Sequence, residues 1–230
     1  MKRIVIFFAA VLAVATAAAQ GDNPWRFTFG AEMGVGTYFN YPRLSLAGGS
    51  DKAYTAPTTA LSLGLRDSSL ELGLRYSLTD ISTGMADEEV AMHDLSIVVR
   101  RSAMVGPRLE LFGGVATGFA LQHSRFSHNG SDISATQYGI GAAFEAGMRY
   151  YLSGNMFVSV TASLGAKMMF DRNLNLPPDI DLSKHHGITY AMASICVGFG
   201  IGFPPKVKKI NMPAALIDHE NRYLLADYLY

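Results

Sequence analysis

A single cysteine, Cys196, stands in a chain of 230 residues. No intramolecular disulfide can form, so the fold does not depend on the staples of a small secreted domain. Cys196 itself reads as a small buried filler rather than a reactive thiol. An excess of charge of either sign is also missing, because 19 Lys and Arg balance 19 Asp and Glu. That balance gives no sign of nucleic acid or of a broadly anionic partner. Hydrophobic residues make up 49% of the chain, yet after Gln20 no run of about 18 uninterrupted apolar residues could form a membrane-crossing helix. So many apolar side chains with no apolar helix to carry them must be placed by another pattern.

The first residues belong to a separate signal. Lys2-Arg3 forms a charged n-region, Ile4 to Ala13 an apolar core, and Ala17-Ala18-Ala19 before Gln20 a small-residue cleavage site. This is the layout of a secretory signal peptide over residues 1–19. No cysteine lies at the cleavage site that follows the apolar core, so a lipoprotein anchor is not expected. Removal of Lys2 and Arg3 would leave seventeen bases against nineteen acids.

What is present is alternation. In "SICVGFGIGF", Ser194 to Phe203, bulky Ile195, Val197, Phe199, Ile201 and Phe203 share one parity, and the other holds only Ser194, Cys196, Gly198, Gly200 and Gly202. A period of two is a strand signal. Seven earlier segments repeat it, beginning near Trp25, Leu61, Leu70, Leu95, Leu109, Tyr138 and Met156. The connections are predicted to alternate between long ones (40–54, 80–88, 123–134, 171–187) and short ones (67–69, 102–107, 152–155). Eight strands with long loops on one side and short turns on the other predict an all-β, antiparallel, up-and-down transmembrane barrel over residues 20–203, with a C-terminal tail at 204–230.

Which parity is dry decides between a membrane barrel and a soluble one. The polar parity is dominated by Gly, Ser, Thr and Ala with isolated charges, whereas the apolar parity is large and nearly unbroken. Small groups suit a narrow interior and large apolar ones suit lipid, so the apolar face is predicted to point outward. Closure is required, because an unpaired strand edge in hydrocarbon costs several kcal/mol per polar group. Aromatic residues fall at the strand ends: Trp25, Phe27, Tyr150 and Phe203 at one rim, Phe39, Phe119, Tyr138 and Phe170 at the other. They are expected to form interfacial girdles.

The signal peptide, the eight alternating strands and the aromatic-ended last segment together resemble small outer-membrane barrels of the OmpA/OmpX type. The resemblance covers about Trp25 to Phe203. It implies a Gram-negative outer membrane with its lipid and lipopolysaccharide, and recognition of Val197, Phe199, Ile201 and Phe203 by the barrel-assembly machinery. It also implies surface display, with an extracellular partner at the four long loops. The chain departs from many such barrels in continuing twenty-seven residues beyond Phe203. That tail opens with Pro204-Pro205 and Lys206, Lys208 and Lys209; it is expected to fold as a stub under the barrel mouth or against the headgroups, with a docking segment for a periplasmic partner as the alternative.

The inward parity carries acids at Glu32, Glu71, Asp94, Glu110 and Glu145. It carries bases at Arg26, Arg66, Arg75, Arg100, Arg149 and Lys167. An eight-stranded barrel is only wide enough for side chains to fill, and unpaired charge in such a space is costly. These residues are therefore predicted to form a structural ion-pair plug. A small-solute channel is the alternative, and a lipid A-modifying enzyme a further one. "HSRFSHNGSD", His123 to Asp132, holds the Ser, His and Asp types that lipid hydrolysis needs, but not the His-x-Ser-Asn order of lipid A deacylase barrels. His123, His128, His185 and His186 lie on predicted loops without rigid ligand spacing. No catalytic group, metal site or cofactor is expected.

Overall fold

The computed structural model describes residues 25–39, 53–67, 69–81, 88–128, 131–170 and 188–203. The predicted signal peptide, the tail from residue 204 and most of the predicted loops 40–54, 80–88 and 171–187 lie outside them. Eight strands are present: β1 (Trp25–Phe39), β2 (Tyr54–Asp67), β3 (Leu70–Asp80), β4 (Glu88–Met104), β5 (Leu109–His128), β6 (Ser131–Tyr151), β7 (Met156–Met169) and β8 (Ile188–Gly202). Each pairs antiparallel with the next and β8 pairs back onto β1, so the sheet is a closed barrel.

The register fixes the shape of the barrel. Cross-strand partners can be followed once around, from Arg26 through Arg66, Glu71, Arg100, Gly114, Glu145, Ser163 and Ser194. The circuit returns to β1 at Gly36, ten residues above its start. With ~3.4 Å per residue and ~4.8 Å between strands, that stagger tilts the strands by about 40°. Parity then sorts every strand into two faces. Phe119 and Phe144 on the outside are each 73% exposed, whereas Glu110 on the inside is 0% exposed. The outward face is apolar from Phe27 to Phe39 on β1, interrupted only by Thr37, and from Leu70 to Leu78 on β3. At this tilt the β1 run spans about 30 Å, the thickness of a bilayer core. An exposed apolar belt of that height, on a sheet whose strands each pair with two neighbours in a closed barrel, belongs to a barrel that crosses a membrane.

The structure corrects three sequence expectations. Residues 123–134 are not a loop. β5 and β6 stay in register from Gln122↔Gln137 to His128↔Ser131, and only residues 129–130 separate the two strands. Their Ser, His, Asn and Asp content reads as loop because it is polar, but a strand that has risen clear of lipid can be polar on both faces. β4 likewise runs through Ser102 to Met104, and the turn is 105–108, closed by the Val105 amide donating to the Leu109 carbonyl at 2.8 Å.

The third correction concerns the inward face, which is not uniformly small. Phe112, Phe157, Tyr151, Tyr38, Tyr190, Met92 and Met169 all point inward and are buried. The glycines of β8 and β6 make room for them. A Cβ on Gly200 would collide with the Phe157 ring, and one on Gly147 would lie 2.5 Å from Phe112 Cζ. On Gly202 it would come within 2.8 Å of Thr28, and on Gly198 within 2.7 Å of Glu32. The bare parity of Ser194–Phe203 is therefore the counter-shape of residues on β1 and β7.

Candidate functional site

The lumen contains two layers of different chemistry. Nearer the three short turns lies an ionic lattice. Arg66 reaches Glu71 at 2.6 Å and Glu110 at 2.8 Å. Arg149 binds the same two carboxylates at 2.6 and 3.4 Å, which closes a four-membered ring. Arg100 carries the chain onward from Glu71 at 3.0 Å to Glu145 at 2.8 Å, and Arg75 links Glu145 to Glu32, the latter at 2.7 Å. Four arginines meet four glutamates, so the lattice is neutral. Neutral donors complete it: Tyr151 donates to Glu110 at 2.6 Å and Thr161 to Glu32 at 2.8 Å.

Aromatic rings insulate the cations. Arg149 lies between the rings of Phe112 and Phe157, at 4.9 and 5.0 Å from their centroids, and Arg100 lies 5.2 Å from Phe112. Cation–π contact in a dry site adds to the ion pairing. Several ties join strands that share no backbone hydrogen bond: Arg66 of β2 with Glu110 of β5, Arg149 of β6 with Glu71 of β3, and Arg75 of β3 with Glu145 of β6. The lattice therefore spans the lumen from wall to wall.

Towards the other end the ionic content falls to one pair. Lys167 Nζ binds Asp94 at 2.5 Å and touches Met92 Sδ at 2.8 Å, and Tyr190 donates to that same sulfur at 3.2 Å. Tyr38 donates to Thr79 at 3.0 Å, and Thr79 shares a hydroxyl contact with Thr58 at 3.0 Å. An apolar cap of Ile81, Val90, Met92, Met169, Ala56 and Ala120 adjoins this pair, with the Tyr38 and Tyr190 rings 5.9 Å apart. Between the layers is a cavity of about 60 Å³, lined by Arg75, Glu145, Asp94, Lys167 and hydroxyls such as Ser77, Ser163 and Ser194. That space holds a few waters, at ~10–15 Å³ each, and no solute of metabolite size.

Ten of the eleven inward charges anticipated from the sequence (Glu32, Arg66, Glu71, Arg75, Asp94, Arg100, Glu110, Glu145, Arg149, Lys167) meet in these two layers. The eleventh, Arg26, is half-buried and stays outside the lattice, its guanidinium 5.1 Å from the Phe203 ring centroid. The main-chain carbonyl of Phe203 instead accepts from Arg66 at 3.2 Å. Tyr150 and Phe203 are exposed at the short-turn rim, where Phe27 is half-buried and Trp25 opens β1. Phe39, Phe119, Tyr138 and Phe170 are exposed towards the opposite rim. Of the rings that the sequence reading did not assign, Phe112 and Phe157 are marked only by Gly147 and Gly200 across from them, and Tyr151 stacks edge-on against Phe157.

No family model matches the chain, and no curated protein matches it in sequence. Among solved structures, Neisserial surface protein A is 13% identical, with a TM-score of 0.48 over 80% of this chain and 100% of that one. OprG from Pseudomonas aeruginosa is 14% identical, with a TM-score of 0.45 over 76% and 95%. Ail, the attachment invasion locus protein of Yersinia pestis, is 11% identical, with a TM-score of 0.44 over 76% and 98%. Likeness this distant says nothing of function. The architecture is read from the strand register itself, and it is that of the small OmpA/OmpX-type barrels.

The segment with hydrolase-like composition is not assembled as a site among the described residues. His123 faces outward with its Nδ1 3.2 Å from the Thr136 hydroxyl, while the adjacent Ser124 faces the lumen and is 1% exposed. Strand geometry keeps such neighbours on opposite faces. His185 and His186 lie outside the described residues, and no group of three or more His, Cys, Asp or Glu is arranged to hold a metal among the described ones.

Proposed function

We propose that the chain is an integral outer-membrane barrel of structural and surface-display type, with a lumen that does not conduct. One observation carries this reading: the lumen is filled twice, by an ionic lattice at one end and an apolar cap at the other. Glu110, Val90 and Met92 are each 0% exposed. A channel would need a continuous wet path, and two layers of unlike chemistry would both have to move to make one. The short turns are assigned to the periplasm and the β5–β6 hairpin to the cell exterior, which makes that hairpin the principal displayed element among the described residues. Its strands are the longest of the barrel, at 20 and 21 residues. Beyond Gly139, β6 has no β7 partner among the described residues. The hairpin therefore rises about 20 Å above the girdle residue Tyr138. The extracellular partner, lipopolysaccharide contact, recognition of β8 during assembly and a periplasmic role for the tail belong to the same proposal.

The test is planar-bilayer conductance on protein whose folding has been verified by a gel-mobility difference between boiled and unboiled samples. The expected result is a heat-modifiable band and no resolved conductance steps. Steady single-channel steps from the folded band would replace this reading with the small-solute channel.

A further inference from the structure

Inside the barrel every lattice charge meets an opposite one. On the outside, Arg101 does not. Arg101 of β4 is exposed on the outward parity, and its side chain has no ion pair or hydrogen bond among the described residues. Its cross-strand partners are Leu70 and Gly113, and Val99 and Ala103 flank it on its own strand. It stands four residues from the turn residue Val105, about 10 Å along the barrel axis and thus within the apolar belt. The nearest outward acid on its row, Asp67, is two strands away, beyond Leu70.

Nearby outward positions at this rim, Leu65, Leu111 and Met148, are exposed and apolar. Gly113 leaves the wall beside Arg101 open, since a Cβ there would meet nothing nearer than a backbone oxygen at 3.8 Å. Arg108, in the turn below, is exposed and has no side-chain partner among the described residues. A cation among lipid-facing aliphatics is costly unless it reaches an anion or the headgroup layer. Here Arg101 on β4 and Arg108 in the turn below it flank a shallow bare patch near the short-turn rim.

From this arrangement we infer a phospholipid site on the outer wall between β4 and β5, in which Arg101 and Arg108 hold the phosphate of a periplasmic-leaflet phospholipid. The inference rests on the lipid-facing reading of the belt and on the short turns facing the periplasm. Charge fixes the headgroup class, because the guanidinium fork matches a phosphate, and no carboxylate competes for it on that patch. The acyl chains would run upward over Leu111, Val99 and Ile97.

The mature chain in an uncharged detergent, titrated with phosphatidylglycerol and read by native mass spectrometry, tests this. Arg101→Gln should weaken retention of the first bound lipid about tenfold, the effect of one lost charge-assisted contact. Arg108→Gln should weaken it less, and Arg101→Lys should retain part of it. Arg125→Gln, at the opposite rim, should change nothing, and uncharged diacylglycerol should not be retained. Equal retention by Arg101→Gln and the unsubstituted chain, or retention of diacylglycerol as good as that of phosphatidylglycerol, would overturn the site. Heat-modifiable gel mobility of each variant keeps misfolding separate from lost binding. A chain that stays monodisperse without detergent would instead refute the membrane barrel itself.

Discussion

The two ends of the lumen solve the same packing problem in opposite ways. At the short-turn end, four arginines and four glutamates fill the space with multiply shared contacts. At the other end one Lys167–Asp94 pair sits against an apolar cap. The difference shows what an ion pair costs to isolate. A lone pair has few partners to share the burden of lost hydration, and the structure gives Lys167 a thioether and the Tyr38 ring, 5.7 Å away, as its remaining company. In the lattice each charge has at least two opposite or aromatic neighbours, except Glu32 at its end, which has Arg75 and a hydroxyl.

The comparison can be broken most forcefully at Glu71, which accepts from Arg66, Arg100 and Arg149. Glu71→Ala leaves three guanidinium groups around a void and should cost about 3–5 kcal/mol. This can be read as a shift in the urea midpoint for loss of the fast-migrating folded band. The double variant Glu71→Ala/Arg149→Met should recover part of that loss. Equal midpoints for the single and double variants would mean that the lattice does not act as a unit.

At the other end, Lys167→Met should cost about 3 kcal/mol by stranding Asp94, whereas Lys167→Met/Asp94→Leu should return close to the starting stability, because a lone buried pair is commonly replaceable by apolar side chains. If the double variant were as weak as the single one, the pair would carry stability of its own. Gly200→Ala should cost about 1–3 kcal/mol by overpacking against Phe157. Phe157→Leu should relieve part of it in the same urea assay, since the Phe29 carbonyl would still crowd the added methyl. The smallest effect is expected outside: Phe144→Leu exchanges one lipid-facing apolar group for another and should stay within about 0.5 kcal/mol. A larger loss there would mean that the outward face packs against protein.

Much of this was legible in the sequence, and the reason is geometric. Strand parity is rigid, so Val98, which breaks the polar rule of its face, still points inward because its neighbours Ile97 and Val99 cannot slip. The same rigidity identified the charges of the lattice. It did not identify their partners, because those depend on the ten-residue stagger, which decides what lies across the lumen. Phe112 and Phe157 were hidden because they share a parity with Gly and Ser, and one bulky residue among small ones looks like noise until the facing glycine is known. The β5–β6 hairpin was misread because the amphipathic period stops where lipid stops, although the hydrogen-bond ladder does not.

The ties between opposite walls have a consequence for how the molecule is made. In a flat sheet, β2 and β5 stand three strand spacings apart, about 14 Å, too far for Arg66 to touch Glu110. An unrolled intermediate holds only the fragments that neighbouring strands can supply, such as Arg66–Glu71–Arg100 with its surplus positive charge. Most of the ionic attraction is therefore withheld until curling is complete. The rivet at the Phe203 carbonyl cannot be set before the last strand arrives, so the polypeptide gains little from stopping halfway.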